Sequence, residues 1–484
     1  MSEYVIETEK GKWEIVCGLE IHCQIISKSK IFSGAPAEFG DDANENVSFV
    51  DAAMPGMLPT LNEECVHQAI KTGLGLNAVI NKYSVFSRKN YFYADSPQGY
   101  QITQFEHPIV GEGKITVDLS DGSSKDIRIE RLHIEQDAAK SIHDLNPTKS
   151  YIDFNRCGVG LMEIVTKPDF RSPEEVGAFL RKLRSILRYL GTCDGNMDEG
   201  SMRCDASISV RPLGSSELRQ RAEVKNVNSV KFAMQAIDSE AHRQVEIYES
   251  GGTILQQTCR FDPTTGGTKF LRLKEFSDDY RYFPEPDLPP LILSDELINK
   301  IRDELVELPD AKKSRFVSQL GLTPYDAAVI CENKEVADFF ETAAHGRDAK
   351  KVANWLMGDF FAMLKKKNLE IAQSPVSAEN LGKLVDLITH DVISGKIAKD
   401  VFEIMAETSE NPEKIVEEKG LKQVTDTSAI EAIIDSVIAS NPDNVASYRA
   451  GKVNLLGWFV GQVIKQSQGK ANPALVNKLL KEKL

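Results

Sequence analysis

A chain of 484 residues is too long for one ordinary hydrophobic core and predicts roughly two to four domains. Its 41% hydrophobic and 27% charged residues exclude a disordered polymer, and its net charge of −14 excludes a uniformly basic nucleic-acid binder while leaving room for a local basic site. No apolar run is long enough to span a bilayer, Met1 to Lys12 lacks the apolar core of a signal peptide, and the eight cysteines form no CxxC pair. These features predict a cytoplasmic protein with reduced thiols and no membrane partner.

The first strong element is a strand from Trp13 to Ile25. Trp13, Ile15, Cys17, Leu19, Ile21, Cys23 and Ile25 form one apolar face. Glu14, Val16, Gly18, Glu20, His22 and Gln24 form the other, so Glu20 and His22 project side by side. The loop from Ser87 to Gln101 combines cations, aromatics and a turn in Arg88-Lys89-Asn90-Tyr91-Phe92-Tyr93, a composition suited to gripping a phosphate and stacking a base and equally to a packed surface loop. In Arg131-Leu132-His133-Ile134-Glu135 the acid shares a face with His133, and in Leu161-Met162-Glu163-Ile164-Val165 a carboxylate interrupts an apolar run, where it is costly unless paired or metal-bound.

A helix is predicted to start at Ser172-Pro173-Glu174-Glu175, with an N-cap serine, proline at N1 and the glutamate of a capping box. Val176, Phe179, Leu180, Leu183, Leu187 and Leu190 form its apolar stripe and Gly191 ends it; Arg181, Arg184 and Arg188 lie on the outer side. Alternation returns from Arg203 to Arg211, where Cys204, Ala206, Ile208 and Val210 oppose Arg203, Asp205, Ser207, Ser209 and Arg211. Glu223 then shares a face with Arg221 and Lys225. Oxygen donors with one imidazole and no thiolate cluster suit magnesium or manganese better than structural zinc. The plainer alternative is that these polar positions are the wet face of a sheet.

Prolines in the stretch from Asp279 to Leu291 forbid a continuing helix or central strand, which marks a boundary. After Ser294 the period is helical, with a second break around Thr408 to Pro412. The last piece turns basic: after Val445, Arg449, Lys452, Lys465, Lys470, Lys478, Lys481 and Lys483 meet only Glu482. No G-x-x-x-x-G-K-[ST], H-E-x-x-H or G-x-S-x-G motif occurs, so any nucleoside triphosphate would have to be held through metal ions in an acidic pocket.

Gly18-Leu19-Glu20-Ile21-His22, Arg88-Lys89-Asn90-Tyr91-Phe92-Tyr93, Asp153-Phe154-Asn155-Arg156 and the run Asp194 to Asp205 resemble the B subunit of the aspartyl/glutamyl-tRNA amidotransferases. Glu223 to Ser229 and Asp279 to Asp287 do so as well, in family order from about Trp13 to the C-terminus. The resemblance implies an α+β fold: a cradle of antiparallel sheet with helices over 1–294, a helical domain over 295–407, and a helical, YqeY-like tail over 408–484. It implies a ligase that phosphorylates the side-chain carboxylate of Glu-tRNA(Gln) or Asp-tRNA(Asn) with ATP and amidates it with ammonia. The implied partners are a glutaminase (amidase) chain, the A subunit of a heterotrimer, a small third chain, its C subunit, and the misacylated tRNA.

The family's metal positions fall on Glu20, His22, Glu163, Asp205 and Glu223, with Glu20, His22 and Glu163 catalytic and Mg2+, or Mn2+, the implied ion. Where the family carries paired acids, this chain reads His133-Ile134-Glu135-Gln136-Asp137-Ala138-Ala139-Lys140, leaving either Glu135 or Gln136 as a further ligand, and Ala139 replaces a customary glycine. Arg88, Lys89, Tyr91, Tyr93, Asn155, Arg156 and Arg203 are the expected substrate contacts; Arg449, Lys452, Lys465 and Lys470 are the expected tRNA contacts. The alternatives are a noncatalytic tRNA-binding scaffold and an independent ligase acting on a small free acid.

Overall fold

The computed structural model describes residues 4–273, 277–423, 427–467 and 470–484, and of 226, 277 and 278 the backbone alone. The chain divides into two compact units, Met1–Pro309 and Asp310–Leu484. The first is α+β and the second is helical.

The first unit opens with β1 (Ile6–Thr8) and β2 (Gly11–Gln24), then α1 (Glu63–Gly75), the two-residue β3 (Tyr83–Ser84), and the pair β4 (Phe86–Asn90) and β5 (Tyr100–Gln104). There follow β6 (Gly113–Asp118), β7 (Ser124–Gln136), the hairpin β8 (Lys140–Ile142) and β9 (Tyr151–Asp153), and β10 (Gly160–Thr166). Next come α2 (Pro173–Leu190), β11 (Met202–Pro212), β12 (Ala222–Val227), α3 (Val230–Glu249), β13 (Gln257–Asp262) and β14 (Gly267–Leu273). The main sheet runs β14-β13-β12-β11-β2-β10-β7-β6, with β1 folded back on β2. Every pairing in it is antiparallel except β12 with β13.

Period-2 patterning decides which face of this sheet is dry. Ile15, Cys17, Leu19, Ile21 and Cys23 of β2, Met162 and Ile164 of β10, and Cys204, Ala206, Ile208 and Val210 of β11 are buried in one core with α2 and α3. Full burial of each Leu, Ile or Phe contributes about 1.5–3 kcal/mol. In β7 the buried apolar residues are Ile127 and Ile129, then Leu132 and Ile134, a step of three in the middle. A bulge causes it: Val165 pairs with Arg131 and Thr166 with Ile129, so Glu130 is the extra residue. The bulge resets the alternation and turns His133 and Glu135 to the face opposite the helices.

Helix α2 begins as its sequence predicts. Ser172 Oγ accepts from Glu175 N at 3.1 Å, Pro173 occupies the first turn, and Gly191 closes the helix at φ +69°. The glutamate departs from a capping box: Glu175 Oε2 accepts from Arg171 N at 2.6 Å and pairs with Lys125. Of the outer arginines, Arg184 donates through Nε to Gly195 O at 2.8 Å.

The proline-bearing stretch forms two short edge pairings. Phe283–Pro284 (β15) pairs with β4 and Leu291–Ile292 (β16) pairs with β3. Helix α4 (Asp295–Asp303) then buries Ile298 and Ile301 in the same core. Pro284 is tolerated because an edge strand leaves one row of donors unused.

In the second unit, Phe316 and Phe340 meet edge-to-face at 5.1 Å, and Phe339 and Phe360 pack tilted at 4.7 Å. Helix Gly395–Thr408 stops at Ser409 (φ +59°), and Asn411 caps Pro412–Glu418 by accepting from Glu413 N. Ile430, Ile434, Phe459, Val463, Val476 and Leu480 form a separate core in the C-terminal helices. All eight cysteines are buried and none forms a disulfide. Among the described residues no helix is long and apolar enough to cross a membrane.

Candidate active site

Five neighbouring strands, β7, β10, β2, β11 and β12, bring chemistry-bearing residues to the face opposite α2 and α3. Across one row the register sets His133 opposite Glu163, Glu163 opposite His22, and His22 opposite Arg203. The next row sets Arg131 opposite Val165, Val165 opposite Glu20, and Glu20 opposite Asp205. Glu223 lies opposite Ser207 on one side and Thr258 on the other. Directly opposed side chains start only about 5 Å apart, so these rows force like and unlike charges together.

Glu163 is the hub. Its Oε2 is 3.4 Å from His22 Nε2 and 3.3 Å from His133 Nε2. His22 Nε2 is 3.8 Å from both Glu20 and Glu135, and His133 Nε2 is 3.6 Å from Glu135. Glu135 also accepts from Thr103 Oγ1 at 2.9 Å. Burial pushes both histidines down, but hydrogen bonds and the fields of Glu163 and Glu135 outweigh it, and each ring's pKa is pushed up to about 9. Burial likewise acts to raise Glu163 and Glu135, but His133 and His22 pull Glu163, and His133 with Lys89 pulls Glu135, below the usual range. Glu20 has less compensation: burial and the Glu163 charge raise it.

Above this cluster lies a cavity of about 250 Å³ whose walls include Glu20, His133, Glu135, Glu163 and Glu223 together with Lys89, Arg131, Lys225, Tyr280 and Tyr282. Two overlapping triads, Glu20–His22–Glu163 and His133–Glu135–Glu163, each have donor atoms within 4.8 Å of one another. Carboxylate oxygens with imidazole form a donor set that fits a hard divalent cation. His133 is held through Nε2 by Glu163 and Glu135, while its Nδ1 is buried with no hydrogen-bond partner among the described residues.

The other expected site residues are distributed as follows. Asp205 accepts from Lys225 Nζ at 2.7 Å, and Glu223 from Thr258 Oγ1 at 3.2 Å. Glu135 faces the cluster, whereas the Gln136 amide donates to Gln98 Oε1 at 2.7 Å. Ala139 is buried without a positive φ, so no glycine is required there.

Arg203 Nη2 donates to Asp137 Oδ2 at 2.8 Å, and Arg156 donates to the carbonyls of Ala138 and Ala139. Asn155 ties the loop at Asp42 and Asn46. Arg88 forks onto Glu285 at 2.7 and 2.8 Å and lies 4.2 Å from the Tyr100 ring centroid. Lys89 Nζ sits 5.0 Å over Tyr280, while Tyr91 and Tyr93 pack at 5.7 Å.

Arg449 donates to the C-terminal Leu484 O at 3.1 Å. Lys452 and Lys465 are exposed and Lys470 is half-buried; Gln468 and Gly469 of that basic stretch lie outside the described residues.

Sequence reasoning left His133, Lys225, Thr258, Tyr280 and Tyr282 off the site. The alternation that placed Glu135 and Glu223 carried His133 and Lys225 with them, because i and i+2 share a face. Tyr280 and Tyr282 lay within the family-like stretch Asp279 to Asp287 but were given no role, and nothing local signalled Thr258, whose strand reaches the cluster through tertiary contacts.

Two family patterns match this chain: the GatB/GatE catalytic domain over residues 15–299 and the GatB domain over residues 338–484. It is 63% identical over 481 residues to the aspartyl/glutamyl-tRNA(Asn/Gln) amidotransferase B subunit of Rhodospirillum rubrum, with 99% of each chain covered. The protein of that name from Acidiphilium cryptum is 60% identical over 481 residues and that from Rickettsia rickettsii 57% over 479, again covering 99% of both chains.

Proposed function

This chain belongs to the family of aspartyl/glutamyl-tRNA amidotransferase B subunits, and from that premise we propose that its carboxylate–histidine cluster activates the side-chain carboxylate of a misacylated tRNA for amidation. The family uses ATP in tRNA-dependent transamidation, and the family name implies a multi-chain enzyme. A carboxylate is a poor acyl donor at neutral pH. Transfer of the γ-phosphoryl group to one of its oxygens releases ADP; ammonia then attacks the acyl carbon, and phosphate leaves with the C–O bonding pair.

The convergence of Glu20, His22, Glu135, Glu163 and Glu223 beside His133 carries this reading. Glu20, His22, Glu135 and Glu163, aided by Asp205 and Glu223, would hold Mg2+ or Mn2+, which when bound neutralises phosphate charge and orients the attacking carboxylate. Lys89 and Arg131 line the same cavity and suit anionic oxygens of substrate. Burial of Glu163 and Glu135 limits water, so each charge acts through a low dielectric. The orphaned His133 nitrogen supports a proton-holding or ligating role for that ring. Arg88, Asn155, Arg156 and Arg203 act in this reading by fixing the loops around the substrate.

The division of labour we propose assigns chemistry to residues 1–294, connection to 295–407, and tRNA contact to 408–484 through Arg449, Lys452, Lys465 and Lys470. Ammonia comes from a glutaminase partner, the A subunit, with the small C subunit completing the assembly in the cytoplasm. The test is ATP hydrolysis by the three-chain complex with Glu-tRNA(Gln) or Asp-tRNA(Asn), titrated with magnesium. Turnover that needs both charged tRNA and divalent cation is expected; ATP hydrolysis with free glutamate and no tRNA overturns the reading.

A further inference from the structure

A second cavity, of about 590 Å³, opens beside the first between Asn90–Tyr93 and Asp279–Phe283. The two share Tyr280 as a lining residue. Tyr280 meets Tyr91 edge-to-face at 6.5 Å, and Tyr91 packs on Tyr93 at 5.7 Å. Phe92 is 86% exposed and Tyr93 51% exposed, so aromatic surface that folding normally hides is turned to solvent.

Two further features show a built groove. Arg281 adopts φ +49°, a left-handed conformation that a side-chain-bearing residue keeps only when its surroundings enforce it. The Asn90 amide enforces it, donating to Tyr280 O at 3.0 Å and Arg281 O at 2.9 Å. The rim is therefore fixed in advance of any ligand. Second, cations stand along the boundary between the cavities: Lys89 over Tyr280, and Arg272, which lines the carboxylate pocket while donating to Tyr93 Oη.

Aromatic faces flanked by cations recognise a nucleobase and its phosphate. We propose that this groove stacks the terminal nucleobase of the unpaired tRNA 3′ end, with Phe92, Tyr93 and Tyr280 as its platform. The assignment rests on the function proposed above. The carboxylate to be activated hangs one amino acid from the terminal ribose, so the terminal base must sit immediately beside the carboxylate pocket, and a shared wall meets that requirement. ATP also carries a base. The aromatic surface, however, continues outward through Phe92 into solvent, which suits a strand whose next unpaired base follows the first.

The test is single-turnover transamidation by the full complex, using misacylated acceptor-stem minihelices that carry or lack the terminal base. With the unaltered enzyme, removing the base is expected to raise KM roughly tenfold. With Phe92→Ala and with Tyr93→Ala, KM for the intact minihelix rises and the penalty for removing the base shrinks to about twofold or less. Both side chains are exposed, so truncation spares the core. An equal penalty in enzyme and variants overturns the groove assignment. A raised KM for ATP with an unchanged KM for the minihelix also overturns it and assigns the groove to the adenine of ATP. An unaltered complex that never transamidates either minihelix, yet binds both, overturns the parent reading and this one with it.

Discussion

Lys225 Nζ donates to Asp205 Oδ2 at 2.7 Å, beside the bulge at which β11 and β12 slip register between Cys204 and Ala206. One acid of the expected ligand set is thus already neutralised by a cation of the protein. Burial acts to lower the Lys225 pKa, but Asp205 and Glu223 outweigh it, and the net shift is upward. Lys225 and a divalent ion therefore compete for the same negative charge. Lys225→Met is expected to lower the magnesium concentration for half-maximal activity about fivefold, since one nearby unit charge is worth about 1 kcal/mol or more. A titration with unchanged half-saturation removes Lys225 from that competition.

Glu163 makes the closest carboxylate contact to each of the two imidazoles. Glu163→Gln keeps the shape and removes the charge, so phosphoryl transfer is expected to fall about a hundredfold or more while tRNA binding remains intact. Rapid-quench measurement of acyl-phosphate formation, paired with filter binding of tRNA, checks both halves.

The neighbours Glu135 and Gln136 are predicted to differ sharply. Glu135→Gln weakens divalent-ion binding by roughly 10–100-fold, whereas Gln136→Ala, which loses the bond to Gln98, changes it by less than about threefold. Isothermal titration with Mn2+ separates them.

Asp137 supplies a pH-dependent prediction. Burial acts to raise its carboxyl, but Arg203 and Arg156 outweigh it and hold the pKa below the usual value. A depressed folded-state pKa contributes stability that is present above the unfolded value near 3.9 and lost as pH falls through the lower folded value. Asp137→Asn is expected to cost about 3 kcal/mol at pH 7, because Arg203 is left without its buried partner. The gap between protein and variant should narrow below about pH 4 in urea titrations.

In the tail, Lys452 and Lys465 are exposed, whereas Arg449 already ties the C-terminal residue. Lys452→Ala and Lys465→Ala are each expected to reduce the slope of log affinity for tRNA against log salt by about 0.7–0.9. Arg449→Ala should in addition lower the melting temperature. A salt slope that stays constant in both lysine variants moves the tRNA contact elsewhere.

Much of this arrangement is written locally. Alternation in β2, β10 and β11 and the Ser172-to-Gly191 helix are legible because each depends on residues a few positions apart. Local pattern also placed Glu20 beside His22 and set Glu163 in an apolar run that a carboxylate enters only with partners. The prolines near 284–290 signalled an interruption, and the pairing of β15 with β4 and β16 with β3 came from hydrogen bonds to strands some two hundred residues earlier.

The amino-acid order by itself determined the strand faces, the strongest helix, the basic tail and the family motifs, since period, capping and charge are properties of neighbours. Tertiary structure alone decided that Glu163 lies between two histidines, that Lys225 claims Asp205, and that Tyr280 walls two cavities at once. Register across five strands, reset by a bulge at Glu130, sets those distances, and register is a relation between segments that no single segment contains.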